Sequence, residues 1–246
     1  MRTIRLYIAQ QHPQPFVSGE SLQLDDNATH YLLTVLRAKA GYKVDIFNGH
    51  GASATGIISN VQKRSAAITI QTITEISCES PLHIHLGIGI SKGDRFEWVL
   101  QKATELGVTE ITPLWCEHSQ VKLDNERIEK KHRHWQQIII SACEQSGRNT
   151  LPVLHQACDS HEWIKSVNAE RKFTLDPRAE LSLDKQTKPA SVALLIGPEG
   201  GLNESETTAA AEEQFIGLQL GPRILRTETA PLAALSILQF VWGDLG

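Results

Sequence analysis

Apolar and polar residues alternate in short runs over the first third of the chain. IRLYIA (4–9) predicts a strand, and AAITIQTITEI (66–76) alternates at period two. YKVDIFN (42–48) and ASATGIISNV (52–61) flank Asn48-Gly49-His50-Gly51. An Asn-Gly pair supplies the positive φ of a tight turn, so these two runs predict a hairpin. DDNATHYLLTVLR (25–37) predicts a helix starting near Asp26, with Leu32, Leu33, Val35 and Leu36 as its apolar residues. Several short strands with one helix predict a small barrel over residues 1–74.

From residue 82 the period changes. LHIHLGIGI (82–90), VTEITPL (108–114), LPVLH (151–155), KFTLD (172–176), SVALLIG (191–197) and GLQLG (217–221) predict strands. SVALLIG is apolar on both faces, as a fully covered parallel strand is. Helices are predicted between them. DRFEWVLQKATELG (94–107) has Asp94 and Glu97 at capping-box spacing and Gly107 as its stop. Residues 124–147 predict a long helix with Asp124 as cap, and a short helix starts at Ser160. NESETTAAAEEQF (203–215) has Asn203 and Glu206 at the same capping-box spacing, and TAPLAALSILQFVWG (229–243) carries Pro231 in its first turn. Strands alternating with helices predict a parallel sheet covered on both faces. The expected organisation is a β-rich domain over 1–74 and an α/β domain over 75–246, with the boundary near Glu75–Pro81.

Composition narrows the class. With 246 residues, 41% hydrophobic and 21% charged, the chain reads as a water-soluble globular protein of one or two domains. No apolar run approaches the ~20 residues that span a bilayer, and the first ten residues lack the apolar core of a signal peptide. The expected location is the cytoplasm, without membrane partners. None of Cys78, Cys116, Cys143 and Cys158 stands in a C-x-x-C pair, so the cysteines read as free thiols. The pairs His83/His85 and His132/His134 lack a third ligand at usable spacing, so no metal is expected. Net charge is -4, but residues 1–74 hold seven Lys/Arg against four Asp/Glu. The small N-terminal part is the basic one, which is compatible with an RNA contact.

Two loops carry the candidate chemistry. LLIGPEGG (194–201) and LGPRILRTETA (220–230) each follow an apolar run, at the carboxyl ends of strands where open α/β sheets bind ligands. GPEGGLNE is not a phosphate-binding P-loop, and GIGISKG (87–93) misses the G-x-G-x-x-G spacing by one residue. Acidic Glu199 disfavours a phosphate cradle. A ligand gripped by backbone groups, such as an adenosine joined to a sulfonium-bearing amino acid, fits better. No G-x-S-x-G elbow or H-E-x-x-H is present, so hydrolase chemistry lacks its nucleophile and its metal. Arg148, Arg223 and Arg226 are forked donors suited to phosphate or planar polar edges; the alternative is that Arg223 and Arg226 are solvated or pair with Glu228. Glu105 stands near a helix C-terminus, where a negative charge is unfavourable.

LLIGPEGG, LGPRILRTETA and FEWVLQKATELGV (96–108), together with ITPL (111–114), VKLD (121–124) and ACEQSGRN (142–149), resemble in order the motifs of the ribosomal RNA small-subunit methyltransferase E family. The resemblance runs over nearly the whole chain. It implies an N-terminal PUA-like β-barrel and a C-terminal SPOUT α/β domain whose last segment forms a trefoil knot, an exception to the rule against knots. It further implies a homodimer that binds S-adenosylmethionine in the knot near the dimer interface. The implied activity is methylation of uridine N3 in 16S rRNA of the assembled small ribosomal subunit.

Carried onto this chain, the resemblance places Leu195, Ile196, Gly197, Glu199, Gly200, Gly201, Leu220, Gly221, Ile224, Leu225 and Thr227 around the cofactor, with Leu175 as a further wall. Arg226, Thr227 and Glu228 open towards the methyl group and the base. Arg226 is the expected catalytic cation, Arg148 its alternative or a phosphate clamp, and Glu105 a candidate to orient an arginine or accept the proton. Arg5, Arg37, Lys39, Lys43 and Lys92 are the expected RNA contacts. Pro231 and Asp176-Pro177 depart from the family pattern and leave the lining of the pocket open. The rival readings are another SPOUT methylation, of ribose 2′-O or of tRNA, and a non-enzymatic RNA-binding assembly protein. LAALSILQFVW is apolar on more than one face, a motive for a second subunit.

Overall fold

The alternation in the N-terminal third builds a five-stranded sheet. Its strands are β1 (Ile4–Tyr7), β2 (Ser21–Gln23), β3 (Lys43–Phe47), β4 (Ser53–Gln62) and β5 (Ser65–Thr74), in the order β1-β3-β4-β5-β2. β1 runs parallel to β3 and the other pairings are antiparallel. The inward residues, among them Leu6, Val44, Ile46, Ile58, Ile68 and Ile70, form one core with Leu32. The β3–β4 connection turns where Asn-Gly predicts: Gly49 and Gly51 have φ of 78° and 97°, and the Asn48 side-chain oxygen accepts from the N–H groups of His50 and Ala52. Strand β2 has no signature in the sequence, because three residues on a sheet edge are too few to show a period.

The helix expected over 25–37 is shorter and interrupted. α1 (Asp26–His30) starts at Asp26 as expected and is capped by Asp25, whose carboxylate accepts from the Ala28 N–H at 2.7 Å. A π-helical turn follows at Tyr31–Val35, and Arg37, at φ 51°, takes the chain out of the helix. Leu32 is buried while Val35 and Leu36 remain exposed, so the apolar run is not one continuous buried face.

In this computed structural model the chain divides into two units, Met1–Glu79 with Cys143–Leu151, and Ser80–Ala142 with Pro152–Gly246. The residues described are 4–9, 15–62, 65–74, 77–119, 125–176, 179, 183 and 187–246. The VKLD motif with its expected cap Asp124, Pro177, and Glu75 at the expected boundary lie outside the described residues. Cys143–Leu151, which a linear reading leaves inside the α/β part, belongs to the first unit. There the Tyr7 N–H donates to Glu144 Oε1 at 3.0 Å, and Arg5 Nη2 donates to the Arg148 carbonyl and to Asn149 Oδ1.

The second unit contains β6 (His83–Gly89), α2 (Asp94–Glu105), β7 (Glu110–Trp115), most of α3 (Asn125–Ser146), β8 (Val153–Leu154), β9 (Cys158–Asp159), α4 (Ser160–Ser166), β10 (Arg171–Leu175), β11 (Ser191–Ile196), α5 (Glu204–Glu212), β12 (Ile216–Leu218) and α6 (Thr229–Trp242). Its sheet runs β12-β10-β11-β6-β7-β8, with β9 also on β7, and every pairing is parallel. β11 is central and buried from Val192 to Ile196, as its unbroken apolar run requires. From β10 the chain moves inward to β11 and then back to β12 on the far side of β10. The carboxyl ends of these three strands therefore face one crevice at a switch in strand order.

Two capping boxes are expected and one forms. At α5 the Asn203 side chain accepts from the Glu206 N–H at 2.7 Å, and Glu206 Oε2 accepts from the Asn203 N–H at 2.8 Å. At α2 the cap position is Gly93, at φ 68°, with no side-chain cap. Asp94 is already inside the helix there, so it cannot reach back as a cap. Glu97 instead accepts from Lys131 Nζ at 3.3 Å and lies 3.1 Å from His134 Nε2, tying α2 to α3.

Candidate cofactor and substrate site

A cavity of about 370 Å³ lies at the carboxyl ends of β10, β11 and β12, a size usual for small-molecule sites. Most of the expected cofactor residues line it: Leu175, Leu195, Ile196, Gly197, Glu199, Gly201, Leu220, Gly221, Ile224, Leu225 and Thr227. Gly200 does not. It packs against His118, whose Nδ1 is 3.0 Å from the Gly200 carbonyl, and a Cβ there would meet His118 Cβ at 2.7 Å.

Glycine is required by close approach in the first loop. A Cβ on Gly197 would lie 2.7 Å from the backbone of Gly201 and Leu202, and one on Gly89 would lie 2.5 Å from Pro198 N. Only hydrogen fits in these gaps, so the loop folds tightly over the end of β11. The second loop turns at Gly221, at φ 90°. Its end is held by the start of α6, where the Thr229 and Ala230 N–H groups both donate to the Arg226 carbonyl at 2.9 Å.

A second cavity of about 330 Å³ is lined by Arg95, Glu199, Ile224, Leu225, Arg226, Thr227 and Glu228. Glu199, Ile224, Leu225 and Thr227 belong to both, so the two spaces adjoin across the second loop. Glu228 lies 3.9 Å from Arg95 Nε, and Arg95 Nη1 is 3.4 Å from Glu199 Oε1. Glu199 Oε1 also accepts from the Lys92 N–H at 3.0 Å. Arg95, not Arg226, is thus the counter-ion of Glu228. Among the described residues the exposed Arg226 guanidinium has no carboxylate partner. Glu199 Oε2 and Glu228 Oε2 are buried and accept no hydrogen bond among the described residues.

The other expected residues stand elsewhere. Arg148 is buried in the first unit, where its Nε and Nη2 donate to Glu79 Oε2 at 2.9 and 2.6 Å. Glu105 accepts from Lys102 Nζ at 2.7 Å on the last turn of α2 and lines neither cavity. Arg5 is engaged inside the first unit, its guanidinium 4.4 Å over the Phe47 ring, and burial holds its pKa below the usual value. Arg37, Lys39, Lys43 and Lys92 are exposed.

Several lining residues have no motif to announce them. Thr174 and Leu218 come with the strand ends, and Thr207 comes from α5; Asp176, noted above beside Pro177, also lines the cavity. Their signal is positional: they flank the carboxyl ends of the strands that carry the loops. Arg95 has a weaker signal, as one cation in the first turn of a helix otherwise acidic there.

Comparison with known proteins agrees with this geometry. Residues 78–239 match the RNA methyltransferase domain and residues 24–71 the RNA methyltransferase PUA domain. Ribosomal RNA small subunit methyltransferase E of Buchnera aphidicola subsp. Schizaphis graminum is 38% identical over 92% of this chain and 93% of its own. A Neisseria gonorrhoeae ribosomal RNA small subunit methyltransferase E, bound to S-adenosyl methionine, matches all of both chains with a TM-score of 0.91 and 37% identity. A Legionella pneumophila structure in complex with the bound cofactor SAM also matches all of both chains, with a TM-score of 0.94 and 42% identity. With a strand-end crevice roofed by two glycine-proline loops and these matches along its length, the chain belongs to the ribosomal RNA small subunit methyltransferase E family.

Proposed function

We propose that the protein transfers a methyl group from S-adenosylmethionine to N3 of a uridine in 16S rRNA of the small ribosomal subunit. The observation that carries this reading is the pair of adjoining cavities sharing one loop, with Arg226 lining the second. The first has the size suited to S-adenosylmethionine and is lined by residues of both glycine-proline loops. A cofactor whose sulfonium and ammonium outweigh its carboxylate also suits an acidic rim with a buried, unpartnered Glu199 oxygen. The names of the relatives and the cofactor bound to the Neisseria protein support the same assignment.

When bound, the cofactor supplies an electrophilic methyl group. The chain's own contribution begins with position. The Gly197–Leu202 and Leu220–Leu225 loops, read as the crossings of a trefoil knot, hold the donor so that the acceptor meets it in line, which provides much of the rate. Uridine N3 bears a proton, and as it leaves, negative charge spreads over the two flanking carbonyl oxygens. Arg226, which lines the second cavity and has no carboxylate of its own among the described residues, takes the role of stabilising that charge. Glu228 lines the second cavity and takes the proton-accepting role that Glu105, held by Lys102, is not placed to fill. The target base leaves its stack to enter. Exposed Arg37, Lys39 and Lys43 on the first unit, with Lys92, hold rRNA phosphates, which position the substrate without specifying it.

The working form is a homodimer in the cytoplasm. On α6, Ile237 and Phe240 stand three residues apart and are 38% and 67% exposed, an apolar strip for a second copy to cover. The test of the activity is incorporation of labelled methyl from S-adenosylmethionine into unmodified small subunits, compared with large subunits and with free rRNA. Labelling of small subunits alone is expected; labelling of none, or of large subunits instead, contradicts the reading.

A further inference from the structure

His83 and His85 share one face of β6, and the third ligand that their spacing lacks comes from far along the chain. β6 and β7 run parallel with His85 opposite Glu110. The segment leaving β8 lies on the other side of β7, the His155 N–H donating to the Ile111 carbonyl at 2.9 Å. One ligand atom from each of His85, Glu110 and His155 consequently lies within 4.8 Å of the other two. Glu110 Oε2 is 2.5 Å from His155 Nε2 and 3.8 Å from His85 Nδ1, and Glu110 Oε1 is 3.1 Å from His83 Nε2. The His85 and His155 rings stack with centroids 5.1 Å apart.

The far edge of the His85 ring is held as well. Its Nε2 is 2.8 Å from Thr112 Oγ1 and 3.3 Å from Trp163 Nε1. Trp163 fills the space over Gly87, where a Cβ would come within 2.6 Å of the indole. The cluster sits towards the amino ends of β6 and β7, whereas the cofactor cavity sits at the carboxyl ends of β10–β12. Methyl transfer does not use it.

We propose that His85, Glu110 and His155 bind one divalent first-row transition-metal ion, zinc being the representative, with His83 placed to complete the site. Two or three imidazoles with one carboxylate are a nitrogen–oxygen donor set that such ions favour. Zinc bonds of about 2.0–2.2 Å place neighbouring ligand atoms roughly 3.3 Å apart. Glu110 and His155 therefore open slightly on binding, and His85 closes in. With the metal on Nδ1, the His85 ring carries its proton on Nε2 and donates it to Thr112 Oγ1, which fixes the ring. The longer Trp163 contact gives way. The ion cross-links β6, β7 and the segment after the two-residue strand β8, so it locks this edge of the sheet.

The test uses the full chain, stripped with a chelator and then titrated with Zn²⁺ by calorimetry and with Co²⁺ by visible absorption. One ion per chain is expected, with the absorption of Co²⁺ in a nitrogen–oxygen site and a higher unfolding temperature on adding Zn²⁺. His155→Ala and Glu110→Gln each weaken binding by about tenfold or more, while His134→Ala on α3 leaves it unchanged. The His155 side chain is 40% exposed, so its loss costs little packing, and a metal-free unfolding temperature like that of the parent shows the variant is folded. His155→Gln replaces it if alanine unsettles the fold. Failure of the parent chain to take up one ion overturns the proposal. So does equal uptake by the parent and both ligand variants, which assigns the metal to an adventitious ion on surface histidines.

Discussion

Arg148 and Glu79 are joined through a single carboxylate oxygen, Glu79 Oε2, which accepts from Arg148 Nε at 2.9 Å and Nη2 at 2.6 Å. The other oxygen accepts from the Thr150 N–H at 3.1 Å. The pair therefore anchors the Cys143–Leu151 segment within the first unit. Arg148→Ala leaves the Glu79 carboxylate without its cation, and removal of one partner of a fully buried pair costs several kcal/mol. With Glu79 partly exposed, the expected loss is about 2–3 kcal/mol, read by denaturant unfolding. The affinity for S-adenosylmethionine in the folded fraction should stay within about twofold; a selective loss of turnover at full stability would restore Arg148 to the chemistry.

Gly197→Ala tests the first loop. The added methyl meets the Gly201 and Leu202 backbone at 2.7 Å, so the loop has to shift. Overpacking of this kind costs about 1–3 kcal/mol. Because the loop forms the cavity wall, the expected result is cofactor binding weakened roughly tenfold in calorimetry. Unchanged affinity would show that this loop does not grip the cofactor.

Arg226→Ala separates binding from chemistry. The guanidinium is exposed and makes no ion pair among the described residues, so its removal should leave stability within about 0.5 kcal/mol. Turnover should fall by about 10²–10³, the effect of removing one donor aimed at developing charge. Cofactor affinity should hold. Normal turnover would exclude the role assigned to Arg226.

Glu144 gives a pH signature. Burial raises its pKa above the ordinary 4.5, while the Tyr7 N–H and the charge on Arg5 pull the other way without overcoming it. A carboxyl whose folded pKa is raised contributes stability fully below its unfolded pKa, and the contribution is lost as pH rises through the folded value. Glu144→Gln keeps a carbonyl oxygen for Tyr7 and cannot ionise. As pH rises above the ordinary carboxylate value, its stability relative to the parent should therefore rise and then level off; a difference independent of pH would show that Glu144 is not so buried.

Much of the second unit was legible because local rules suffice there. The unbroken apolar run of β11, the Asn203–Glu206 capping box and the two glycine-proline loops each state their structure within a few residues. The position of the cavity followed, since loops after parallel strands converge on one crevice, and most of the residues that the resemblance assigns to a cofactor line it. Relations between distant positions were not legible. Arg148 reads as a loop cation until Glu79, 69 residues away, is seen to hold it. Arg95 lies in the first turn of α2, and nothing local states that it stands between Glu199 and Glu228. His85 shows no third ligand until parallel pairing brings Glu110 and His155 to it. Gly93 and Asp94 illustrate a local rule failing: capping-box spacing is present, but the glycine takes the cap.

The most direct measurement is mass-spectrometric mapping of the nucleotide that the protein methylates in small ribosomal subunits lacking the modification, with S-adenosylmethionine as donor. The account predicts a single added methyl on N3 of one 16S rRNA uridine, absent with Arg226→Ala. A methyl on a ribose oxygen or another base, or none despite measured cofactor binding, would contradict it.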